Sequence, residues 1–223
     1  MRGLWGFPGQ KGFGMIGDKL VITDYHRENG RKVAEAVLKR IESVDRVFTV
    51  SVSGESGSGK SETAQTTAEE LEKHGLRVVI LGQDDYFKLP PKSNAKKRHE
   101  GIEWVGIGEV RLDLLDEHLG KAKSGTKEII KPLVYFEEDR IGEETLSLEG
   151  IQVVIAEGTY TALLDEIDLH AFIDATYHHT LEHRKKRARD QAEGDFIERV
   201  LEIEHQIIAK NKTRAHVVLP PSP

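Results

Sequence analysis

Apolar residues recur along the first part of the chain with two different periods. Over residues 28–43 they return every three or four positions, as on one face of a helix, and residues 47–52 form a nearly continuous apolar run typical of a buried strand. Glycines and serines interrupt the pattern at 53–58. Helical spacing resumes over 62–74, and a second buried strand is predicted at 77–81. This order predicts a helix that leads into one βαβ unit.

The rest of the chain alternates in the same way, with one exception. Residues 111–122 have helical spacing, whereas residues 128–148 alternate around the turn-like segment EEDRIGEE and predict a β-hairpin outside the main sheet. The wholly apolar run 151–156 predicts a central strand. The remaining predicted elements are two short strands, at 171–173 and 217–219, and between them two long charged helices, at 178–191 and 196–210.

Strands that alternate with helices predict a mostly parallel sheet covered by helices on both faces. We therefore expect an α/β fold, a three-layer α/β/α sandwich, in a single domain over residues 15–223. Residues 1–14 contain five glycines and a proline without any periodicity, and the only other methionine follows as Met15. We expect these residues to form a disordered leader or to reflect a misassigned start.

Composition narrows the functional classes. Hydrophobic residues make up 38% and charged residues 31% of the chain, which excludes a disordered protein. The net charge of −6 argues against a nucleic-acid partner, because the average field would repel phosphates. No apolar run reaches the roughly 18 residues of a membrane span, and there is no cysteine for disulfides or thiolate metal sites. We expect a cytoplasmic protein without a membrane partner.

A glycine-rich segment directly after the first predicted strand carries the main chemical signal. It reads GESGSGKS and fits the phosphate-binding pattern G-x-x-x-x-G-K-[ST] at every fixed position. Its backbone N–H groups can surround phosphate oxygens at the start of a helix. Lys60 can reach the β and γ phosphates of ATP, and the Ser61 hydroxyl can ligate Mg²⁺. The predicted nucleotide-binding residues are Gly54, Glu55, Ser56, Gly57, Ser58, Gly59, Lys60, Ser61 and Glu62.

Two predicted strands end in acidic residues at the same sheet edge as this loop. The second strand is followed by the segment QDDYF, in which we assign Asp84 to orient an acceptor hydroxyl and take its proton, with Asp85 as reserve. The apolar run 151–156 ends at Glu157, which we expect to hold a magnesium-bound water beside Ser61. The alternative is that the Asp pair only caps a turn and that Glu157 is a polar strand end.

A basic segment, HRKKRARD, lies on the predicted helix 178–191. Arg184 and Arg187 are three residues apart on one helix face, so we expect them to close over the transferring phosphate as a lid. The alternative is a solvated helix face whose charges pair with Asp190 and Glu193.

Taken in this order, the segments GESGSGKS, QDDYF, AEGTY and the basic segment ending in RARD resemble the uridine kinase and phosphoribulokinase superfamily of P-loop kinases. The resemblance covers roughly residues 47–220. It implies a P-loop NTPase fold with a β-hairpin excursion and a helical lid, ATP and Mg²⁺ as cofactors, and Asp84 as the catalytic base. Residues 132–145 resemble the family's hairpin, and residues 215–220 resemble its final strand.

The acceptor pocket departs from the nucleoside kinases of that superfamily. Those enzymes carry an aromatic residue followed by Asp-His-Pro-Asp, whereas this chain reads Trp104-Val-Gly-Ile-Gly108, and Val134-Tyr135 replaces a Tyr-Asp pair in the hairpin. Uridine or cytidine is therefore not the expected substrate, because the carboxylates that grip the ribose are missing. The predicted substrate-binding residues are Asp84, Tyr86, His99, Trp104, Tyr135, Arg140 and Glu157, with Glu103 as a further candidate.

A second basic segment precedes this stretch. Lys92, Lys96, Lys97 and Arg98 form a charged loop that could recognise a phosphate already present on the acceptor, or could simply be solvated.

We expect an ATP-dependent phosphotransferase that transfers the γ-phosphoryl group to an alcohol hydroxyl, with Lys60, Arg184 and Arg187 stabilising the developing charge. The acceptor is left open among nucleosides, pentoses and sugar phosphates. Two alternatives remain, a nucleotide-dependent regulatory protein without an acceptor and a nucleotide kinase. An isoleucine stripe at residues 203, 207 and 208 belongs either to the core or to a subunit contact, so a homo-oligomer is also left open.

Overall fold

The computed structural model describes residues 20–178 and 194–222, and seven strands and five α-helices lie in these ranges. The strands are β1 (Phe48–Gly54), β2 (Val78–Gly82), β3 (Glu128–Tyr135), β4 (Arg140–Ser147), β5 (Val153–Gly158), β6 (Leu169–Ile173) and β7 (Val217–Leu219). The helices are α1 (Asp24–Ile41), α2 (Lys60–Lys73), α3 (Pro91–Glu100), α4 (Leu112–Lys123) and α5 (Gly194–Ile208). The predicted elements within the described residues are confirmed, mostly to within a few residues at each end.

The central sheet has five parallel strands in the order β2-β5-β1-β6-β7. The predicted βαβ unit is present, but β5 lies between β1 and β2, so the two strands joined by α2 are not neighbours. After β1 the chain adds β2 and β5 on one side of β1, and then β6 and β7 on the other side. Open α/β sheets bind their ligands at such a switch point, beyond the carboxyl ends of the strands. The phosphate-binding segment follows β1 directly.

Two apolar clusters cover the two faces of this sheet. One joins α1 and α2 to the sheet through Val33, Val37 and Leu71. The other joins α4 and α5 to the opposite face through Leu119 and Ile208. All seven residues of β1 are buried, as expected for a strand covered on both faces. The three-layer α/β/α sandwich is therefore confirmed.

The basic segment around residue 96 is a helix rather than the predicted loop. It belongs to α3, in which Pro91 occupies the first turn, where proline's fixed φ angle favours helix initiation. Asn94 is the only buried residue of this helix. Because α3 has no apolar stripe, hydrophobic periodicity gave no signal for it.

The predicted hairpin forms a separate two-stranded antiparallel sheet of β3 and β4. Its turn is shorter than the EEDRIGEE segment suggests, because β4 already begins at Arg140. In this turn Asp139 has a φ angle of 47°. Its carboxylate accepts hydrogen bonds from the Lys92 amide, at 2.7 Å, and from the Ser93 hydroxyl, at 2.6 Å. The tip of the hairpin therefore caps the first turn of α3.

A buried ion pair attaches the hairpin to the end of β2. Lys131 of β3 donates to the Asp85 carboxylate over 2.6 Å, and the other oxygen of Asp85 accepts the Val134 amide at 2.9 Å. Asp85 therefore belongs to a structural ion pair, and we do not assign it the reserve catalytic role that was predicted. Burial raises the pKa of Asp85, and the charge of Lys131 opposes that shift.

Some predictions fall outside the described residues. The leader at residues 1–14, most of the predicted helix 178–191, and Arg184 and Arg187 all lie there. Within residues 20–178 and 194–222, no helix combines the length and apolarity needed to cross a membrane. In α5, Ile208 is buried in the core, whereas Ile203 and Ile207 are half-buried.

We expect Lys131→Met to lower the free energy of unfolding by about 3 kcal/mol, because it leaves the Asp85 carboxylate buried without its cation. The double variant Asp85→Leu with Lys131→Met should recover at least half of that loss. Lys127→Met is the matched control, since this exposed lysine only approaches Glu149 to 3.9 Å. Urea denaturation measures all four proteins, and equal stability of Lys131→Met and the Lys127→Met control would contradict this account of the hairpin.

Candidate active site

The phosphate-binding loop joins β1 to α2 through backbone conformations that require glycine. Gly57 and Gly59 have φ angles of 76° and 85°. A Cβ atom on Gly59 would lie 2.6 Å from Nε2 of His26, so a larger residue is also excluded by space. The loop leads directly into α2, whose N-terminus presents the positive end of the helix dipole. The local structure is that of an anion-binding loop.

Two side chains at the start of α2 face the functional centre. Nζ of Lys60 donates to the Glu55 carbonyl oxygen within the loop, at 2.8 Å. Oγ of Ser61 donates to Oε2 of Glu157, at 3.2 Å. The structure therefore brings together the lysine, the serine and the acid that were predicted from three separate segments.

Glu157 lies at the carboxyl end of β5 and is buried. The pKa of Glu157 is raised to about 7, mainly by burial and also by the charge of Asp84, while the positive charge of Lys60 and the hydrogen bond from Ser61 act in the opposite direction. A buried carboxyl group beside a hydroxyl and a second carboxyl group is a donor set that suits a hard cation such as Mg²⁺. No cluster of three or more His, Cys, Asp or Glu side chains that could hold a metal occurs in residues 20–178 and 194–222, so Mg²⁺ would also need phosphate oxygens of the nucleotide.

Asp84 lies in a 3₁₀ turn, Gln83–Tyr86, that follows β2. Oε1 of Gln83 accepts the Tyr160 amide at 2.7 Å, which holds this turn against the segment after β5. Gly82, two residues before Asp84, is in register with Glu157 of the neighbouring strand β5, so Asp84 follows β2 beside the end of β5. Asp84 is half-buried, and its side chain lines a cavity of about 190 Å³. The cavity is bounded by Asp84, Phe87, Leu89, Pro91, Asn94, Ala95 and Arg98.

A network of polar side chains holds two residues of the cavity wall, Asn94 and Arg98, in place. Arg98 donates to both oxygens of Glu109, at 2.8 and 2.6 Å, and to Glu204 of α5 at 3.0 Å. Asn94 donates to Glu109 at 2.8 Å and accepts the indole N–H of Trp104 at 2.9 Å. Trp104 therefore orients Asn94 in the cavity wall. The guanidinium of Arg98 is matched by two carboxylates and holds α3 and α5 together.

Two other basic side chains of α3 are also engaged locally, whereas Lys96 is exposed to solvent. Nζ of Lys92 donates to the Glu137 carbonyl oxygen at 2.9 Å, and Lys97 approaches Glu100 to 3.5 Å. Together with the pairing of Arg98, these contacts give little support to the predicted recognition of an acceptor phosphate by residues 92–98.

Several predicted substrate-binding residues lie away from Asp84. Tyr86 is fully buried and its hydroxyl group hydrogen-bonds to Nδ1 of His118 at 2.9 Å, so it packs in the core. The ring of His99 stacks on Phe196 of α5 with 3.8 Å between centroids. At the hairpin tip, the guanidinium of Arg140 lies 3.8 Å above the Tyr135 ring. Of the predicted substrate-binding residues, Glu157 contacts the phosphate-binding segment through Ser61, and Asp84 follows the strand next to that of Glu157.

Glu55 has a role that the motif did not indicate. Its buried carboxylate accepts the Tyr177 amide at 2.5 Å and lies 2.6 Å from Nδ1 of His205 in α5. The side chain therefore ties the phosphate-binding loop to the end of the sheet and to α5. Asn94, Glu109 and Glu204 were also missed. Asn94 and Glu109 lie in segments without apolar periodicity, and Glu204 lies on a charged helix. Their polar character was therefore the only sequence signal for these residues.

Comparison with known proteins agrees with this arrangement. The model of the Phosphoribulokinase / Uridine kinase family matches residues 49–221. A bifunctional alpha-galactosidase/sucrose kinase from Mediterraneibacter gnavus is 28% identical over 183 residues, which cover 76% of this chain and 20% of that protein. This chain therefore spans about a fifth of that relative. A uridine kinase from Lactiplantibacillus plantarum is 25% identical over 186 residues, which cover 78% of this chain and 87% of that protein.

Among solved structures, a possible uridine kinase from Bacillus stearothermophilus superposes with a TM-score of 0.61 at 20% identity. The superposition covers 86% of this chain and 98% of that one. At this identity the likeness shows the fold alone.

We expect the Glu157→Gln variant to be more stable than the wild type at about pH 8, by on the order of 2–3 kcal/mol. The pKa of Glu157 is raised from 4.5 to about 7, so the folded protein binds a proton in this range that the unfolded chain releases. The free-energy cost of ionising Glu157 in the folded protein therefore grows as the pH rises from 4.5 to 7, and it no longer changes above pH 7.

Urea denaturation of both proteins at several pH values measures the difference, which should shrink towards zero near pH 4.5. Glu149→Gln, at an exposed position, is the control and should show no such trend. A stability difference between Glu157→Gln and the wild type that does not vary with pH would refute the raised pKa of Glu157.

Proposed function

Since the chain belongs to the phosphoribulokinase/uridine kinase family and is an ATP-dependent kinase with a hydroxyl acceptor, we propose that its acceptor is a sugar-type molecule and that Asp84 takes the proton of the reacting hydroxyl. The observation that carries the proposal is the position of Asp84. It follows β2, whose Gly82 is in register with Glu157, on the edge of the sheet that bears the phosphate-binding loop, and it lines a cavity of about 190 Å³ that can hold part of a small acceptor.

In the proposed reaction the acceptor oxygen attacks the γ-phosphorus in line with the bond to the β–γ bridging oxygen. Asp84 removes the hydroxyl proton as the new O–P bond forms, and the bridging bond breaks to release ADP. Lys60 offsets the negative charge of the β and γ phosphates. Arg184 and Arg187 are retained as proposed lid cations, and they lie outside the described residues.

Ser61 and Glu157 are the proposed magnesium ligands, directly or through water. Their contact of 3.2 Å and the raised pKa of Glu157 fit a site that gains stability when a cation binds. Bound Mg²⁺ would supply neutralisation of the phosphate charge. The remaining chemistry belongs to the chain's own side chains, which orient the hydroxyl, move its proton and position the nucleotide.

A sugar-type acceptor fits the pocket better than a nucleoside. Residues 104–108 offer no carboxylate to grip ribose hydroxyls, and Trp104 is directed to Asn94 instead. One similar protein is named a bifunctional alpha-galactosidase/sucrose kinase, and that name supports a carbohydrate acceptor. The proposal places the reaction in the cytoplasm, without a nucleic-acid or membrane partner.

Two alternatives remain distinguishable. A nucleotide kinase would use the predicted basic segment to bind the acceptor phosphate, but Lys92, Lys97 and Arg98 of α3 already contact protein oxygens, and only Lys96 of that segment is exposed without such a contact among the described residues. A regulatory protein would bind ATP but would lack acceptor-dependent turnover. The pairing of Asp84 with a cavity favours catalysis, because a binding protein has no need for a proton acceptor there.

We expect Asp84→Asn to lower kcat by about 10²- to 10⁴-fold, because the amide cannot take the hydroxyl proton, while the KM for ATP changes little. The assay follows ADP formation with Mg²⁺-ATP against a panel of sugars, sugar acids, sugar phosphates and nucleosides. Asp45→Asn is the matched control, since this exposed aspartate precedes β1 at the opposite edge of the sheet. It should retain wild-type activity.

Three results would count against the proposal. Uridine or cytidine as the best acceptor would refute the sugar-type assignment and leave the family activity intact. Acceptor-stimulated turnover that survives in Asp84→Asn would refute the role of Asp84. ATP binding without stimulation by any acceptor would favour the regulatory alternative.

A further inference from the structure

A second cavity, of about 340 Å³, lies between the start of α4 and the hairpin. Its walls combine two cations, one carboxylate and apolar or small residues: Arg111, Lys131, Glu143, Ile130, Pro132, Ile141 and Gly142. It is distinct from the cavity that Asp84 lines, because the two share no wall residue.

The cavity adjoins the catalytic turn. The backbone N–H of Arg111 donates to the Tyr86 carbonyl oxygen at 2.8 Å, and Val110 pairs with Phe87 in an antiparallel bridge. Asp84 is two residues before Tyr86. Because each residue spans at most about 3.5 Å, the Cα atoms of Arg111 and Asp84 are separated by roughly 12 Å at most. This separation is within the combined reach of the two side chains and a small molecule placed between them.

Arg111 carries an unmatched charge. Among the described residues, its guanidinium makes no ion pair and no hydrogen bond, and its Nε atom is buried without an acceptor. An unsatisfied buried donor costs about 1–3 kcal/mol, and more when the group is charged. An arginine held in this way at the wall of a cavity favours a ligand that supplies the missing acceptor.

Lys131, the other cation of the cavity, does not have this property. Its ammonium contacts Asp85 at 2.6 Å and Glu144 at 3.4 Å, so its charge is already neutralised. Glu143 faces the same cavity from the exposed strand β4 without forming an ion pair to Arg111. A ligand that bridges Arg111 and Glu143 thus needs an acceptor group at one end and hydroxyl donors at the other.

We propose that Arg111 binds a negatively charged group of the acceptor, so that the substrate is a polyhydroxylated molecule with a carboxylate or a phosphate. The planar guanidinium can donate two parallel hydrogen bonds to either group. Hydroxyl groups of the same molecule donate to Glu143, and a further hydroxyl reaches Asp84. This inference rests on the proposed function and narrows its acceptor from sugar-type molecules to acidic ones.

The test compares charged and neutral acceptors of the same carbon skeleton, ribose 5-phosphate against ribose and gluconate against glucose. In the wild type, at least one charged member should have a kcat/KM at least about tenfold above its neutral partner. Arg111→Gln should raise the KM for that charged acceptor about 10- to 100-fold, while kcat and the KM for ATP change less than about threefold. Arg111→Lys keeps the positive charge but loses the planar guanidinium. Its KM for the charged acceptor should therefore lie between those of the wild type and Arg111→Gln.

Arg40→Gln is the matched control, because this exposed arginine lies in the last turn of α1 and should keep wild-type constants. If in both pairs the neutral sugar is turned over as well as its charged partner, the proposal is overturned and the kinase activity stands. An unchanged KM in Arg111→Gln would also overturn it.

A second measurement judges the site without turnover. Calorimetric titration of the ADP-loaded protein with ribose 5-phosphate and with gluconate keeps the phosphate-binding loop occupied by ADP, so that added anions report on other sites. If no acceptor in the panel is phosphorylated, the proposed function fails. Binding that is present in the wild type and lost in folded Arg111→Gln would still support the anion site, whereas absence of binding of both anions in the wild type would refute it.

Discussion

Two carboxyl groups held close together beside the phosphate-binding loop are the constraint on which the rest of the site depends. A parallel sheet makes this arrangement possible, because the carboxyl ends of β1, β2 and β5 meet at one edge. β1 supplies the loop, β2 is followed by Asp84, and β5 ends in Glu157. The burial of Glu157 and the charge of Asp84 raise the pKa of Glu157 to about 7, so the free protein tolerates electrostatic repulsion there. Such strain is understandable where a cation and a nucleotide bind.

The elements above this edge are held by a different set of charges. Asp85 and Lys131 fix the base of the hairpin, Asp139 attaches its tip to α3, and Arg98 joins α3 to α5 through Glu109 and Glu204. These ionic contacts are structural, although each involves residues that could pass for substrate ligands in the sequence. Arg111 differs from these residues, because its Nε atom is buried without an acceptor among the described residues. The contrast between matched and unmatched cations separates supporting residues from a candidate binding residue.

The sequence allowed the sheet, its flanking helices and the loop chemistry to be predicted, because each has a strong local signal. The apolar runs of β1 and β5 and the fixed spacing of the phosphate-binding motif depend only on nearby residues. The helix α3 had no such signal, since its polar residues lack a stripe. The inward direction of Tyr86 and the engagement of Asp85 and Arg98 could not be read from the sequence either, because their partners lie far along the chain: His118 for Tyr86, Lys131 for Asp85, and Glu109 and Glu204 for Arg98. Asp84 and Asp85 are adjacent and chemically identical, and only tertiary structure shows that one faces a cavity and the other a lysine.

The most direct test of the central claim follows the fate of the γ-phosphoryl group. ³¹P NMR of the protein with Mg²⁺-ATP and the best acceptor of the panel distinguishes a phosphate ester from inorganic phosphate in one sample. The account predicts that a new phosphomonoester signal grows in equal amount with ADP, and that inorganic phosphate stays near its background level. ADP accompanied by inorganic phosphate alone, with every acceptor offered, would contradict transfer to a hydroxyl group and would show an ATP hydrolase in its place.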